Sequence, residues 1–114
     1  MDILDREFLL DNVGGDTELL REIIDLFFES TGEILDSIRA AVTKADNDSL
    51  HRSAHQLKGA LANVGAKAAT DSALELETLG RNGVLSGLED AMDALDQEMT
   101  RLTPELQSLA ASAD

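Results

Sequence analysis

Apolar residues recur every three or four positions along almost the whole chain, a spacing that predicts α-helix from one end to the other. A short amphipathic segment over about 4–13 carries Phe8, Leu9 and Val13 and stops at Gly14-Gly15, with Asp16 placed to cap the next helix. From about 16 to 44, Leu20, Ile23, Ile24, Phe27, Ile34, Leu35, Ile38, Ala41 and Val42 keep one face apolar. Asp46-Asn47-Asp48 makes a turn and caps a helix over about 47–63, whose stripe is Leu50, Ala54, Leu57, Leu61 and Val64 and whose stop is Gly65. The next pattern, about 67–82, buries Ala69, Ala73, Leu76 and Leu79 and ends at Asn82-Gly83. Ser86 and Glu89 stand at capping-box spacing and open a helix over about 86–103 with the stripe Leu85, Leu88, Met92, Leu95, Met99 and Leu102. Pro104 predicts a break or kink at Thr103, although Leu106 and Leu109 keep the spacing and could carry the helix to about 111. Four long amphipathic helices with short connections predict an all-α fold, an antiparallel up-down four-helix bundle with the short extra N-terminal helix laid across one end.

Composition agrees with one such unit over 1–114. A chain of 114 residues has material for a single core, and its hydrophobic share of 43% suffices without staples. Cysteine is absent, which excludes disulfides and thiolate-ligated zinc. No apolar run approaches the roughly 18 residues a bilayer span requires, so the sequence reads as a soluble, cytoplasmic protein, and a bundle that closes its own core is expected to be a monomer. The net charge of −14 argues against nucleic acid, whose binding needs a basic stripe, and against anionic membranes.

That charge is unevenly spread. Between Ser49 and Thr70 there is no aspartate or glutamate, although 23 of the 114 residues are acidic, and the same stretch holds both histidines together with Arg52, Lys58 and Lys67. An anionic group could dock there. At about 100° per residue, Leu50, Ala54, Leu57, Leu61 and Val64 share one arc of the helix, whereas His51, His55, Lys58 and Ala62 lie on a second arc at its edge. His55 is therefore expected at the surface. Lys58 is its neighbour one turn on, with a flexible stem and three ammonium donors that suit a phosphoryl group above the imidazole. Gly59 costs about 1 kcal/mol relative to alanine inside a helix, and bare backbone beside a histidine would let a partner come close.

His55-Gln56-Leu57-Lys58-Gly59 followed by Val64-Gly65 resembles the H-x-L-K-G-x4-[apolar]-G signature of histidine-containing phosphotransfer (HPt) domains. Gly14-Gly15-Asp16 before a long helix, Ala54 before the histidine and Leu76-Glu77 on the following helix extend the resemblance over most of the chain. It implies a four-helix bundle that acts as a phosphorelay intermediate. His55 would take a phosphoryl group from, and return it to, the aspartate of response-regulator receiver domains, supplied upstream by a hybrid histidine kinase. It also implies a Glu or Gln on the next helix that holds the imidazole, and Glu77 stands there, 22 residues after His55.

The chemistry asks for such a group, because attack on phosphorus needs one unprotonated ring nitrogen and a carboxylate on the other fixes the tautomer. Nε2 is then the expected nucleophile and Nδ1–H the donor to Glu77. Arg81, one turn after Glu77, either pairs with it or reaches the phosphoryl oxygens, as a basic residue does in some relatives. Lys67 is expected to add positive potential, and Gln56, Gly59, Ala62 and His51 to line the partner's approach. No phosphate-binding loop and no carboxylate cluster for magnesium is present, so the chain is expected to be a carrier and not an enzyme with its own ATP site. By the resemblance it has no cofactor of its own, Mg2+ belonging to the receiver. His51 and His55 do have metal-ligand spacing, but no third His or Cys exists and no Glu follows His51. A helical adaptor that docks on receivers without transfer is the competing function.

Overall fold

Asp16 begins the longest helix of the computed structural model, which describes residues 3–112; residues 1–2 and 113–114 of the expected domain lie outside the described residues. The Asp16 carboxylate accepts the Leu19 N–H at 3.0 Å and starts α2, Thr17–Lys44, after a short α1 over Arg6–Asn12 that Asp5 caps in the same way. Asp46 accepts from the Ser49 N–H and hydroxyl and opens α3, Asn47–Asn63. Those hydrogen bonds, from the Ser49 side chain first and its backbone second, hold the Asp46 carboxyl below the usual carboxylate range. Gly65, at φ +75°, ends α3: its N–H reaches Ala62 O and the Ala66 N–H reaches Leu61 O, the paired bonds of a Schellman stop. Then come α4, Lys67–Arg81, and α5, Leu88–Ser112.

The described residues contain helices and no strand. Helix α2 packs on α3, α3 on α4, α4 on α5 and α5 back on α2, which closes a four-membered ring. Short connections between neighbours make successive helices antiparallel. The molecule is 45 Å long, matching the about 42 Å that the 28 residues of α2 span at 1.5 Å each. Leu20, Ile24, Ile38, Leu50, Leu57, Leu61, Leu76, Leu95, Leu102 and Leu106 fill the middle. Helix α1 is held at the α3–α4 turn, where the Asp5 N–H donates to Gly65 O at 2.9 Å.

Three expectations fail in α5. The helix does not start on Ser86: Gly87, at φ +79°, takes the cap position and its carbonyl accepts the Ala91 N–H, so the serine-to-glutamate spacing forms no capping box. Leu85 lies before the helix and is 61% exposed, outside the stripe assigned to it. Pro104 does not break the helix: α5 runs through it to Ser112, the continuation that the spacing of Leu106 and Leu109 allowed. An interior proline costs about 3 kcal/mol. Leu106 and Leu109, both buried beyond it, return about 1.5–3 kcal/mol each, and the Thr103 hydroxyl bonds the Met99 carbonyl in the same turn.

One turn carries strain that glycine would relieve. Ala45 ends α2 in the left-handed region at φ +53°. An L-residue there costs about 1–2 kcal/mol, against about 0.5–1 kcal/mol for glycine's lost freedom. Ala45→Gly is therefore expected to raise the unfolding free energy by about 0.5–1 kcal/mol, read as a higher urea midpoint at unchanged slope.

Candidate functional site

Helix α3 turns Leu50, Ala54, Leu57 and Leu61 to the core, and that register leaves His51, His55 and Lys58 on the side facing α4. Helix α4 answers with Ala69, Ala73, Leu76, Glu77 and Gly80. Glu77 is thus a carboxylate on a core-facing stripe, and among the described residues it is the only fully buried charged side chain.

Three cations or potential cations converge on it. Its Oε1 is hydrogen-bonded to His55 Nδ1. Lys58 Nζ donates to Oε2 at 2.8 Å and to Oε1 at 3.2 Å, and the Arg81 guanidinium lies 3.7 Å from Oε2. The hydrogen bond from Lys58 is the main reason the Glu77 carboxyl sits below its ordinary value of 4.5; burial pushes the other way and the bond to His55 adds to the lowering. Glu77 is accordingly ionised at neutral pH and can only accept, so the Nδ1 it touches carries the proton. The other ring nitrogen, Nε2, makes no hydrogen bond to any described residue. The imidazole itself is 66% exposed while its partner carboxylate is wholly enclosed, so a neutral His55 turns an Nε2 lone pair outward.

A depressed carboxyl pKa means stability that is present above the ordinary value of 4.5 and lost as the pH falls through the lower, folded-state value. Glu77→Gln is expected to remove this component. The difference in urea midpoint between parent and variant should be steady at neutral pH and shrink below about pH 4.5. A difference that stays constant down to about pH 3 would contradict the assignment.

The other expected site residues are distributed differently. Gly59 is exposed, and a Cβ on it would meet no atom within 4 Å. Gln56 and Ala62 are exposed on the same helix. His51, expected along the same approach, is half-buried instead, and its Nδ1 is enclosed. Lys67 pairs with Asp71 at 3.9 Å. It stands ten residues before Glu77, about 15 Å along α4, and touches none of the groups around that carboxylate. Two residues outside the sequence motif lie at the same seam. Gly80 is buried against the α3 backbone, and Asn47 reaches across to the Leu79 and Val84 carbonyls. A glycine inside a helix three residues after Glu77 was the available signal for the first, by the reasoning applied to Gly59.

No group of three or more His, Cys, Asp or Glu placed to hold a metal ion occurs among the described residues, and no helix there is long and apolar enough to cross a membrane.

Comparison with known proteins gives two findings and one blank. A family model described as "Hpt domain" matches residues 22–105. The crystal structure of histidine-containing phosphotransfer protein B from Pseudomonas aeruginosa PAO1 superposes with a TM-score of 0.90 over 96% of each chain, at 24% sequence identity, a likeness of fold. Curated protein sequences return no significant match.

Proposed function

Because the chain belongs to the Hpt domain family, we propose that it is a phosphorelay intermediate in which His55 reversibly carries a phosphoryl group between receiver-domain aspartates. The observation that carries this reading is the bond between His55 Nδ1 and the buried, ionised Glu77, which leaves Nε2 as the outward nucleophile.

In the forward step Nε2 attacks phosphorus of an aspartyl phosphate, the Nε2–P bond forms and the P–O bond to the aspartate breaks, returning a free carboxylate to the donor. The ring gains positive character as it bonds to phosphorus while Nδ1 keeps its proton. Glu77 compensates that charge from inside the bundle, where no reorganisation of water is needed. Lys58 has three donors and spends two contacts on Glu77; a third is free for a phosphoryl oxygen. Arg81, 57% exposed at the same carboxylate, supplies a second cation in reach of the group. Donation to a second receiver is the reverse sequence.

The exposed run of Gln56, Gly59 and Ala62 is the approach for the receiver, which brings its own Mg2+ and acidic pocket. The stretch without carboxylates between Ser49 and Thr70 removes repulsion that the remaining surface would impose. A hybrid histidine kinase upstream and a response regulator downstream are the partners this implies, in the cytoplasm. The chain carries phosphate and binds no ATP itself.

The test is incubation with a phosphorylated receiver domain, with mapping of the label afterwards. An acid-labile, base-stable adduct on His55 is expected. No transfer, or label on another residue, would sink the reading, and receiver binding without transfer would favour the adaptor.

A further inference from the structure

Helices α3 and α4 meet along one seam whose contacts step regularly in opposite directions. Asn47 Nδ2 donates to Val84 O at 3.0 Å and to Leu79 O at 3.4 Å. One turn along α3, His51 lies against Gly80. One turn further, His55 meets Glu77. The functional pair is thus the next rung above the Gly80 crossing on both helices, about 6 Å from it on α3 and about 4.5 Å on α4.

The crossing leaves no room for a side chain on Gly80. A Cβ on Gly80 would stand 2.7 Å from His51 N, 2.9 Å from Asn47 O and 3.0 Å from His51 Cα. All three are main-chain atoms of α3, so no rotamer change makes room and α4 itself must move.

We propose that Gly80 and Asn47 are positioning residues for phosphotransfer: the bare backbone sets how near α4 lies to α3, the Asn47 clasp sets its register, and together they bring Glu77 within hydrogen-bond reach of His55. The inference rests on the reading of His55 as phosphoryl acceptor. Opening the crossing from 2.7 Å to the 3.4 Å of ordinary contact exceeds the roughly 0.5 Å within which a reacting constellation must be held. Glu77 is one turn away on the helix that moves.

The test is carried out on the full chain labelled with 15N, reading the His55 ring nitrogens before any phosphate is added and the rate of label uptake from a phosphorylated receiver afterwards. Wild type is expected to show a protonated Nδ1 and a bare Nε2. In Gly80→Ala and Asn47→Ala the proton should redistribute toward Nε2. Uptake at saturating donor should fall about ten-fold or more, with the half-saturating donor concentration unchanged. Gly32→Ala, whose added Cβ meets nothing within 4 Å on α2, should match wild type in both readouts. The inference is overturned if the folded variants keep the wild-type ring signature, or if the signature changes while uptake does not. Should Gly80→Ala fail to fold, Asn47→Ala decides by the same criteria. A wild type that takes no label on His55 refutes the phosphotransfer reading instead, whatever the ring nitrogens show.

Discussion

Replacing His55 with glutamine is expected to abolish phosphoryl uptake while leaving the unfolding free energy within about 0.5 kcal/mol of the parent. The loss of chemistry comes from the nitrogen: an amide nitrogen shares its lone pair with the carbonyl and is not a nucleophile, so no bond to phosphorus can form. The retained stability comes from exposure. The imidazole is 66% exposed, and the one buried group that depends on it, Glu77, keeps Lys58 at 2.8 Å and 3.2 Å. A glutamine amide N–H on α3 can also replace Nδ1–H as a donor. Receiver binding should persist, because the exposed surface around Gly59 is untouched. Label incorporation together with a urea titration checks both effects. Uptake by the variant, or a loss of uptake explained by a lowered midpoint, would place the chemistry elsewhere.

Which parts of this arrangement were legible in the sequence depends on how local their causes are. Asp16 and Asp46 cap α2 and α3 because a carboxylate needs only the N–H groups of the next turn, and Gly65 stops α3 because only the backbone of its own turn is involved. These signals lie within a few residues. Pro104 misled for the opposite reason: its cost is local, but Leu106 and Leu109 are held by burial against other helices. Ser86 misled because Gly87, in a left-handed conformation, was free to cap the helix one residue later.

The site divides along the same line. Helical arcs alone put His55 outside the core, and the Glu77 position came with the family resemblance. What neither supplies is that Glu77 is fully buried, or that Lys58 turns to it; of the two places expected for Arg81, the structure shows it beside Glu77. Nor does sequence spacing distinguish His51 from His55, which share an arc; in the fold one is half-buried with its Nδ1 enclosed and the other is exposed.

A buried carboxylate ringed by cations adds less stability than its contacts suggest, since the cost of taking the charges out of water offsets much of the attraction. Its value here is directional. Glu77 fixes which ring nitrogen holds the proton, and under the proposed function it offers a negative charge to a ring that becomes positive on phosphorylation. Stability has to come from the opposite face of α3, where Leu50, Ala54, Leu57 and Leu61 are completely enclosed.

That division of labour sets the expected behaviour of Leu57, which lies two residues after His55, about 200° around the helix, with none of its surface reaching solvent. Leu57→Ala is expected to cost about 2–5 kcal/mol through lost burial and the cavity left behind, a large share of the about 5–15 kcal/mol available to a domain. For a chain of this length that lowers Tm by roughly 10–30 °C. Below the lowered transition, however, the fraction still folded should take up phosphate at close to the parent rate. His55, Glu77 and Lys58 meet along the α4 seam and not across the cavity. Calorimetry and uptake measured on the same samples separate the two effects. If uptake instead falls in step with stability at temperatures where the bundle is still folded, the core face and not the α3–α4 seam sets the geometry at His55.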